Sequence, residues 1–214
     1  MTQRVREGVF FSIPVVLPRG RHDLTREQVL AAQRERLLVA MTELMAEVGY
    51  RAVKVGAVAA HAGVSRASFY ESFPDKEACA FAAYDRFINV LLDRVAADTA
   101  GAESWEDFMA GLFGSYFGTL QEDLVVARAF QVEMDAVGPS ARARRRRALM
   151  RFADVVEAQR EHFGITSPLP RSAYLGMVYA ARQVASDALD THKRPDLVSL
   201  GPEFAQWVGA ALAA

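Results

Sequence analysis

The sequence predicts an all-α protein of about nine helices, and three observations carry the prediction. Apolar residues recur at three- and four-residue steps along most of the 214-residue chain. No run alternates apolar and polar side chains over the length of a strand. Most Gly and Pro residues fall between the periodic stretches, where they punctuate turns.

The elements follow in order. Residues 1–23 hold no sustained period and contain Pro14, Pro18 and Gly20, which marks a flexible N-terminal arm. Its apolar stretch from Val9 to Leu17 follows Arg4 and Arg6 as in a secretory signal, but Pro14 breaks it and no small-x-small cleavage site follows. From Thr25, the positions Leu30, Leu37, Leu38, Met41, Leu44, Met45 and Val48 give one long helix, which Gly49 ends. Two short helices come next, joined at Ala62-Gly63-Val64-Ser65. Gly63 supplies the positive φ that stops the first, and Ser65 is a good N-cap for the second.

Pro74-Asp75 opens a fourth helix, capped by Asp75, whose apolar seam runs through Phe81, Tyr84, Ile88, Leu91, Leu92 and Val95 to about Ala100. Ser104, with Asp107 three residues on, starts a helix over 105–120. Another is expected across 123–137, and a longer one from Gly138-Pro139-Ser140 to near Gly164. Pro168 and Pro170 precede a helix over 171–192, and the last helix covers 203–213.

Composition narrows the function classes. With 51% hydrophobic and 24% charged residues, the chain reads as an ordinary globular protein. No apolar run approaches the ~20 residues needed to cross a membrane. The one cysteine, Cys79, excludes an internal disulfide and a multi-cysteine metal site, and it fits a reducing cytoplasm. His22, His61, His162 and His192 have no metal-ligand spacing, and no nucleophile–base constellation is visible, so neither a metal, a cofactor nor enzymatic catalysis is expected. The net charge of −1 hides an asymmetry of +3 for residues 1–76 and −4 for residues 77–214. A basic front on an acidic body suits contact with nucleic acid at one end.

Residues 49–79, GYRAVKVGAVAAHAGVSRASFYESFPDKEAC, form a helix-turn-helix with a further helix behind it. Such a motif lays its second helix in the major groove of DNA. That helix would expose Arg66, Ala67, Ser68 and Tyr70, while Val55, Val58, Ala59, Val64 and Phe69 pack beneath. Arg66 can hold guanine O6 and N7 together, and Ser65 can add a helix-terminus contact. Ala67 can touch a thymine methyl, and Ser68 can donate or accept. In the arm, Arg19 and Arg21 are candidates for the minor groove.

This stretch, from about Leu24 to Tyr84, resembles the DNA-binding domain of the tetracycline-repressor (TetR) family. Ala-Gly-Val-Ser at 62–65, Phe69-Tyr70, Phe73 and Lys76-Glu77 fit the family's pattern without a gap. The resemblance implies phosphate contacts by Tyr70 and Lys76. Lys54 stands where the family generally has Ser or Thr, so a side-chain cap is lost there, though a cation can meet a phosphate. Glu71 and Ser72 also depart from the pattern. The implied protein is cytoplasmic, a dimeric regulator and most often a repressor, bound to a palindromic operator in double-stranded DNA and released by a small-molecule effector. The alternative is a DNA-binding regulator without a small-molecule ligand, controlled by abundance or a protein partner.

The expected organisation is thus an arm (1–23), a helix-turn-helix domain (24–73) and a helical ligand-binding and dimerisation domain (74–214). In the last, the 105–120 helix sets Phe108, Phe113, Tyr116 and Phe117 among Gly111, Gly114 and Gly118, a composition that can leave an apolar pocket. Phe130, Met134, Tyr174 and Met177 are further candidate ligand contacts, with Gln131, Glu133 or Arg182 for polarity. Dimerisation is expected on small residues of the 171–192 helix, such as Gly176 and Ala180, together with Phe204, Trp207, Val208 and Leu212. Arg142, Arg144, Arg145, Arg146 and Arg147 cluster near a helix start, where the dipole disfavours cations, and read as a solvated face, with an anionic ligand or a further DNA contact as the alternative.

Overall fold

In the computed structural model, which describes residues 4–12 and 24–213, the described chain is helical and contains no named strand. Helix α1 (Arg26–Val48) starts on a reciprocal cap. The Thr25 hydroxyl accepts from the Gln28 amide at 3.2 Å, and the Gln28 side chain accepts from the Thr25 amide at 2.8 Å. A 3₁₀ turn over Tyr50–Ala52 leads to α2 (Val55–Ala62) and α3 (Arg66–Ser72). Helix α1 packs across both. Its Leu37, Met41 and Met45 are fully buried, as are Val58 and Phe69 from below.

Helix α4 (Lys76–Thr99) begins where the Asp75 carboxylate accepts from the Ala78 amide at 2.7 Å. It then runs out of the head into the body, against α1 at one end and α5 (Trp105–Glu122) at the other. Helices α6 (Leu124–Gln131), α7 (Pro139–His162), α8 (Arg171–Thr191) and α9 (Leu200–Ala213) complete the body. Arg128 closes α8 by donating to the carbonyls of Leu189 and His192, and the Arg160 Nε donates to Leu212 at 2.6 Å to tie down the end of α9.

The structure departs from the sequence expectation in four places. First, 123–137 is not one helix. Arg182 and Ser186 both donate to the Gln131 carbonyl, at 2.8 and 3.0 Å, and α6 gives way to a 3₁₀ turn over Glu133–Val137. Second, α9 begins at Leu200 rather than 203, since Pro202 lies in the first turn, where its missing N–H costs nothing. Third, the Gly114 backbone serves a close approach of α9, although the space in its own Cβ direction is open. Gly201 of α9 lies against it so closely that a Cβ on residue 201 would sit 3.4 Å from the Gly114 Cα. Gly111 likewise abuts Thr99 and Asp98.

The fourth departure concerns the arm. Residues 4–12 are docked on the helices: Val5, Phe10 and Phe11 are buried, and the Phe10 ring lies 5.3 Å from that of Phe87 on α4. Two buried carboxylates hold this segment by its backbone. Glu43 of α1 accepts from the Val5 amide at 2.9 Å, and Asp123, the N-cap of α6, accepts from the Arg6 amide at 2.6 Å. Asp123 also accepts from the Val125 and Val126 amides. Burial nevertheless raises its pKa above the ordinary carboxylate value, the amides and Glu43 being smaller influences.

Candidate nucleic-acid interface and interior cavity

The turn between α2 and α3 has the geometry that its residues dictate. Gly63 takes φ 66° and ψ 34°, the left-handed conformation that a side chain disfavours, and its amide satisfies carbonyls at the end of α2. The Ser65 hydroxyl then accepts from the Ser68 amide at 3.0 Å, starting α3. With Phe69 at 0% exposure and Phe73 at 3% fixing its underside, α3 turns Ser65, Arg66, Ala67 and Tyr70 to solvent, Ser68 being half-buried beside them. Tyr70 is 53% exposed, which leaves its hydroxyl free to meet a phosphate. Lys54 is exposed at the start of α2 and gives no side-chain cap. These residues form one basic and polar edge.

Lys76 is placed otherwise. Its Nζ donates to the carbonyls of Tyr50 at 3.1 Å and Val53 at 2.9 Å, and lies 4.3 Å from the centre of the Tyr50 ring. The ammonium thus fastens the start of α4 to the turn that leads into α2, with its charge directed inward rather than at a phosphate. Arg34 does similar work below α3, donating to the Ser72 carbonyl at 2.9 Å with its guanidinium 4.2 Å from the centre of the Phe73 ring. Arg19 and Arg21 lie outside the described residues.

Inside the body, five helices enclose a narrow apolar cavity of about 40 Å³. Of the residues expected to line it, Phe113, Tyr116, Phe130 and Met177 do so. Five do not. Phe108 stacks on Trp105 at 5.6 Å, and Phe117 packs on Phe204 at 5.4 Å, each on the side of α5 that faces other neighbours. Met134 and Tyr174 are buried away from the cavity, and the Glu133 carboxylate lies against Gly49 at the end of α1.

The walls that sequence reasoning missed come from α4 (Tyr84, Phe87, Ile88, Leu91) and α7 (Leu149, Phe152, Val156). The seam of α4 was visible as an apolar stripe, and Leu149, Phe152 and Val156 repeat at the same helical steps beneath the arginines. Polarity is confined to one end of the cavity. There Gln131 donates to the Tyr116 hydroxyl at 3.2 Å and Arg182 donates to the Gln131 carbonyl. Burial raises the pKa of Tyr116 and of Tyr84, so both stay protonated. Burial first and Arg145 next lower that of Arg182, against the pull of Asp135 at 3.5 Å.

Phe204, Val208 and Leu212 face α5 and the interior, where the Trp105 indole donates to the Gly209 carbonyl at 3.0 Å; Trp207, 50% exposed, faces out. Among the described residues no group of His, Cys, Asp and Glu could hold a metal ion, and no helix is long and apolar enough to cross a membrane. Cys79 is buried, with a pKa pushed up to about 12 by that burial, and is set against the Leu37 carbonyl.

An exposed recognition stripe on a three-helix head, joined by one long helix to a helical body, defines a DNA-binding regulator. Residues 37–83 match the model of the family described as "Bacterial regulatory proteins, tetR family". That match covers the N-terminal domain, which is therefore similar to the DNA-binding domain of that family. The whole fold is similar to that of the fatty acid degradation regulator FadR from Bacillus halodurans, with 19% identity and a TM-score of 0.74 over 81% of this chain and 96% of that one. It is also similar to FadR from Bacillus subtilis in complex with stearoyl-CoA (18%, TM-score 0.72, 82% and 97%). A third is a TetR-family regulator from Syntrophomonas wolfei (12%, TM-score 0.70, 84% and 96%). No curated protein matches the chain in sequence.

Proposed function

We propose that the protein is a cytoplasmic, homodimeric repressor. Two copies of the stripe formed by Lys54, Ser65, Arg66, Ala67, Ser68 and Tyr70 read a palindromic operator. A small, largely apolar effector in the body releases it. The observation that carries this reading is the double duty of α4. Its first residue, Lys76, holds the 50–53 turn in front of α2, and its middle, from Tyr84 to Leu91, forms one wall of the cavity. A change at the cavity therefore bears on the orientation of the head. A second contact runs the same way, since the 133–137 turn just beyond Gln131 touches Gly49 through Glu133.

The cavity of about 40 Å³ is far smaller than the roughly 300–1,000 Å³ of a ligand pocket already open. An effector with a hydrocarbon chain must therefore push α4 from its neighbours. That supplies the unequal affinity for two conformations which a population shift requires. The FadR neighbour solved with stearoyl-CoA supports an acyl-type effector. Two recognition helices about one turn of DNA apart, ~34 Å, require a dimer. Trp207 of α9, with Tyr179 and the small Gly176 and Ala180 of α8, offers the partly exposed face for it.

The small cavity also favours a second reading, in which that space is only imperfect packing and control lies with abundance or a protein partner. Thermal shift against a panel of apolar and acyl compounds separates the two. Effector control predicts a compound that raises the melting temperature and also releases operator DNA in fluorescence anisotropy. A panel without any such compound supports the second reading.

A further inference from the structure

The arginines of α7 do not form a uniform solvated face. Arg144, Arg147 and Arg151 stand three and four residues apart and so share one side of the helix. Together with Tyr84, Asp85, Ile88 and Asn89 of α4 they line a cleft of about 310 Å³. Asp85 is the one acid among the eight residues that line it, Ala148 included, against three arginines. It takes Arg144, whose guanidinium also lies 4.5 Å from the centre of the Phe81 ring and whose Nε is buried without a hydrogen-bond partner. Arg151 meets only the neutral Asn89 amide oxygen, at 3.3 Å. Arg147 has no hydrogen-bond or ion-pair partner among the described residues. Three cations thus line one cleft where one carboxylate answers them.

This cleft adjoins the apolar cavity. Tyr84 and Ile88 line both spaces, and on α7 Ala148 faces the cleft while its neighbour Leu149 faces the cavity. We propose that the cleft of Arg144, Arg147 and Arg151 is the subsite for the anionic head of an amphiphilic effector whose hydrocarbon tail occupies the cavity between α4 and α7. The inference rests on the effector reading above and adds the chemical class: a phosphate-type or carboxylate anion joined to an apolar chain. Guanidinium forks suit such oxyanions. The cleft offers a lone alkane nothing, and a free inorganic anion leaves the cavity unused. An anion drawing Arg144 from Asp85 would also undo a tie between α7 and α4, the helix that reaches the head.

Dodecyl phosphate, dodecanol and inorganic phosphate, titrated calorimetrically into the full-length protein and its variants, test this. The expected result is one dodecyl phosphate per chain, bound at least roughly tenfold more tightly than dodecanol, with an advantage that shrinks as salt rises. Arg147→Ala/Arg151→Ala should remove most of that advantage and leave dodecanol affinity unchanged. Arg142→Ala/Arg146→Ala, which removes the same charge outside the cleft, should keep it. Equal binding of dodecanol and dodecyl phosphate overturns the anion subsite while leaving the effector cavity standing. So does an equal loss in both double variants. Inorganic phosphate binding as tightly as dodecyl phosphate overturns the claim of an amphiphile. Absence of binding by both long-chain probes overturns the subsite and the effector reading together.

Discussion

The Lys76 ammonium lies 3.1 Å from the Tyr50 carbonyl oxygen and 4.3 Å from the centre of the same residue's ring. One cation thereby closes the joint between head and body. Two charge-assisted hydrogen bonds and a cation–π contact on a half-buried side chain together contribute about 1–2 kcal/mol. Lys76→Ala should lower the thermal midpoint and weaken operator binding. It should leave the slope of log K against log salt nearly unchanged, because no phosphate contact is lost. A slope reduced by about one would instead assign Lys76 to the DNA backbone.

On the proposed function, the stripe on α3 separates readers from holders. Arg66→Ala should lose roughly 1–3 kcal/mol of discrimination at one base pair in each half-site and little elsewhere. Tyr70→Phe, on a side chain with its hydroxyl in solvent, should weaken all sequences alike by about 1 kcal/mol. Binding measured across a set of single-base operator variants distinguishes these two patterns.

Removing the Ser65 hydroxyl exposes the Ser68 amide at the start of a helix of only seven residues. Ser65→Ala should destabilise the head by about 1 kcal/mol, and Ser65→Asp, which keeps an acceptor, should restore it. Denaturant titration of the three proteins reads the difference.

The docked segment over residues 4–12 makes a stability prediction of its own. Phe10 is 2% exposed against Phe87, so Phe10→Ala should cost about 3–5 kcal/mol. Asp123 adds a pH dependence. Its folded pKa is raised above the unfolded value, so its favourable contribution is complete below about pH 4 and declines as pH rises through the folded pKa. Asp123→Asn should therefore remove part of the fall in stability across that window, as measured by denaturation at a series of pH values.

Trp207 tests the proposed pairing. Trp207→Glu places a charge on an outward apolar surface of α9 without touching the buried Phe204 or Val208. It should shift the protein toward monomer in sedimentation and cut affinity for a full palindrome by roughly 30-fold or more, while half-site binding is unaffected.

What could be read in the sequence follows the range of the interactions. The turn at Gly63 and the cap at Ser65 are encoded within four residues, so the head was legible there down to its exposed side chains. The break after Gln131 was not, because it depends on Arg182 and Ser186 more than fifty residues away. The same holds for the arm. Its backbone amides are captured by Glu43 and Asp123, and no local pattern announces a carboxylate that will find a partner 117 residues distant. Aromatic richness pointed to α5 as a cavity wall, but helix rotation decides which rings face inward. Phe113 and Tyr116 do; Phe108 and Phe117 face other helices. Lys76 matched a pattern that implied phosphate, and its inward course depends on where the 50–53 carbonyls come to rest.

Selection of bound duplexes from a random DNA pool, run in parallel with the native protein and Arg66→Ala, tests most directly that α3 reads DNA in two copies. The native protein should enrich a palindrome with half-site centres about one helical turn apart. Arg66→Ala should relax one symmetric pair of positions within it. A pool that remains random, or an enriched motif without twofold symmetry, would contradict the reading.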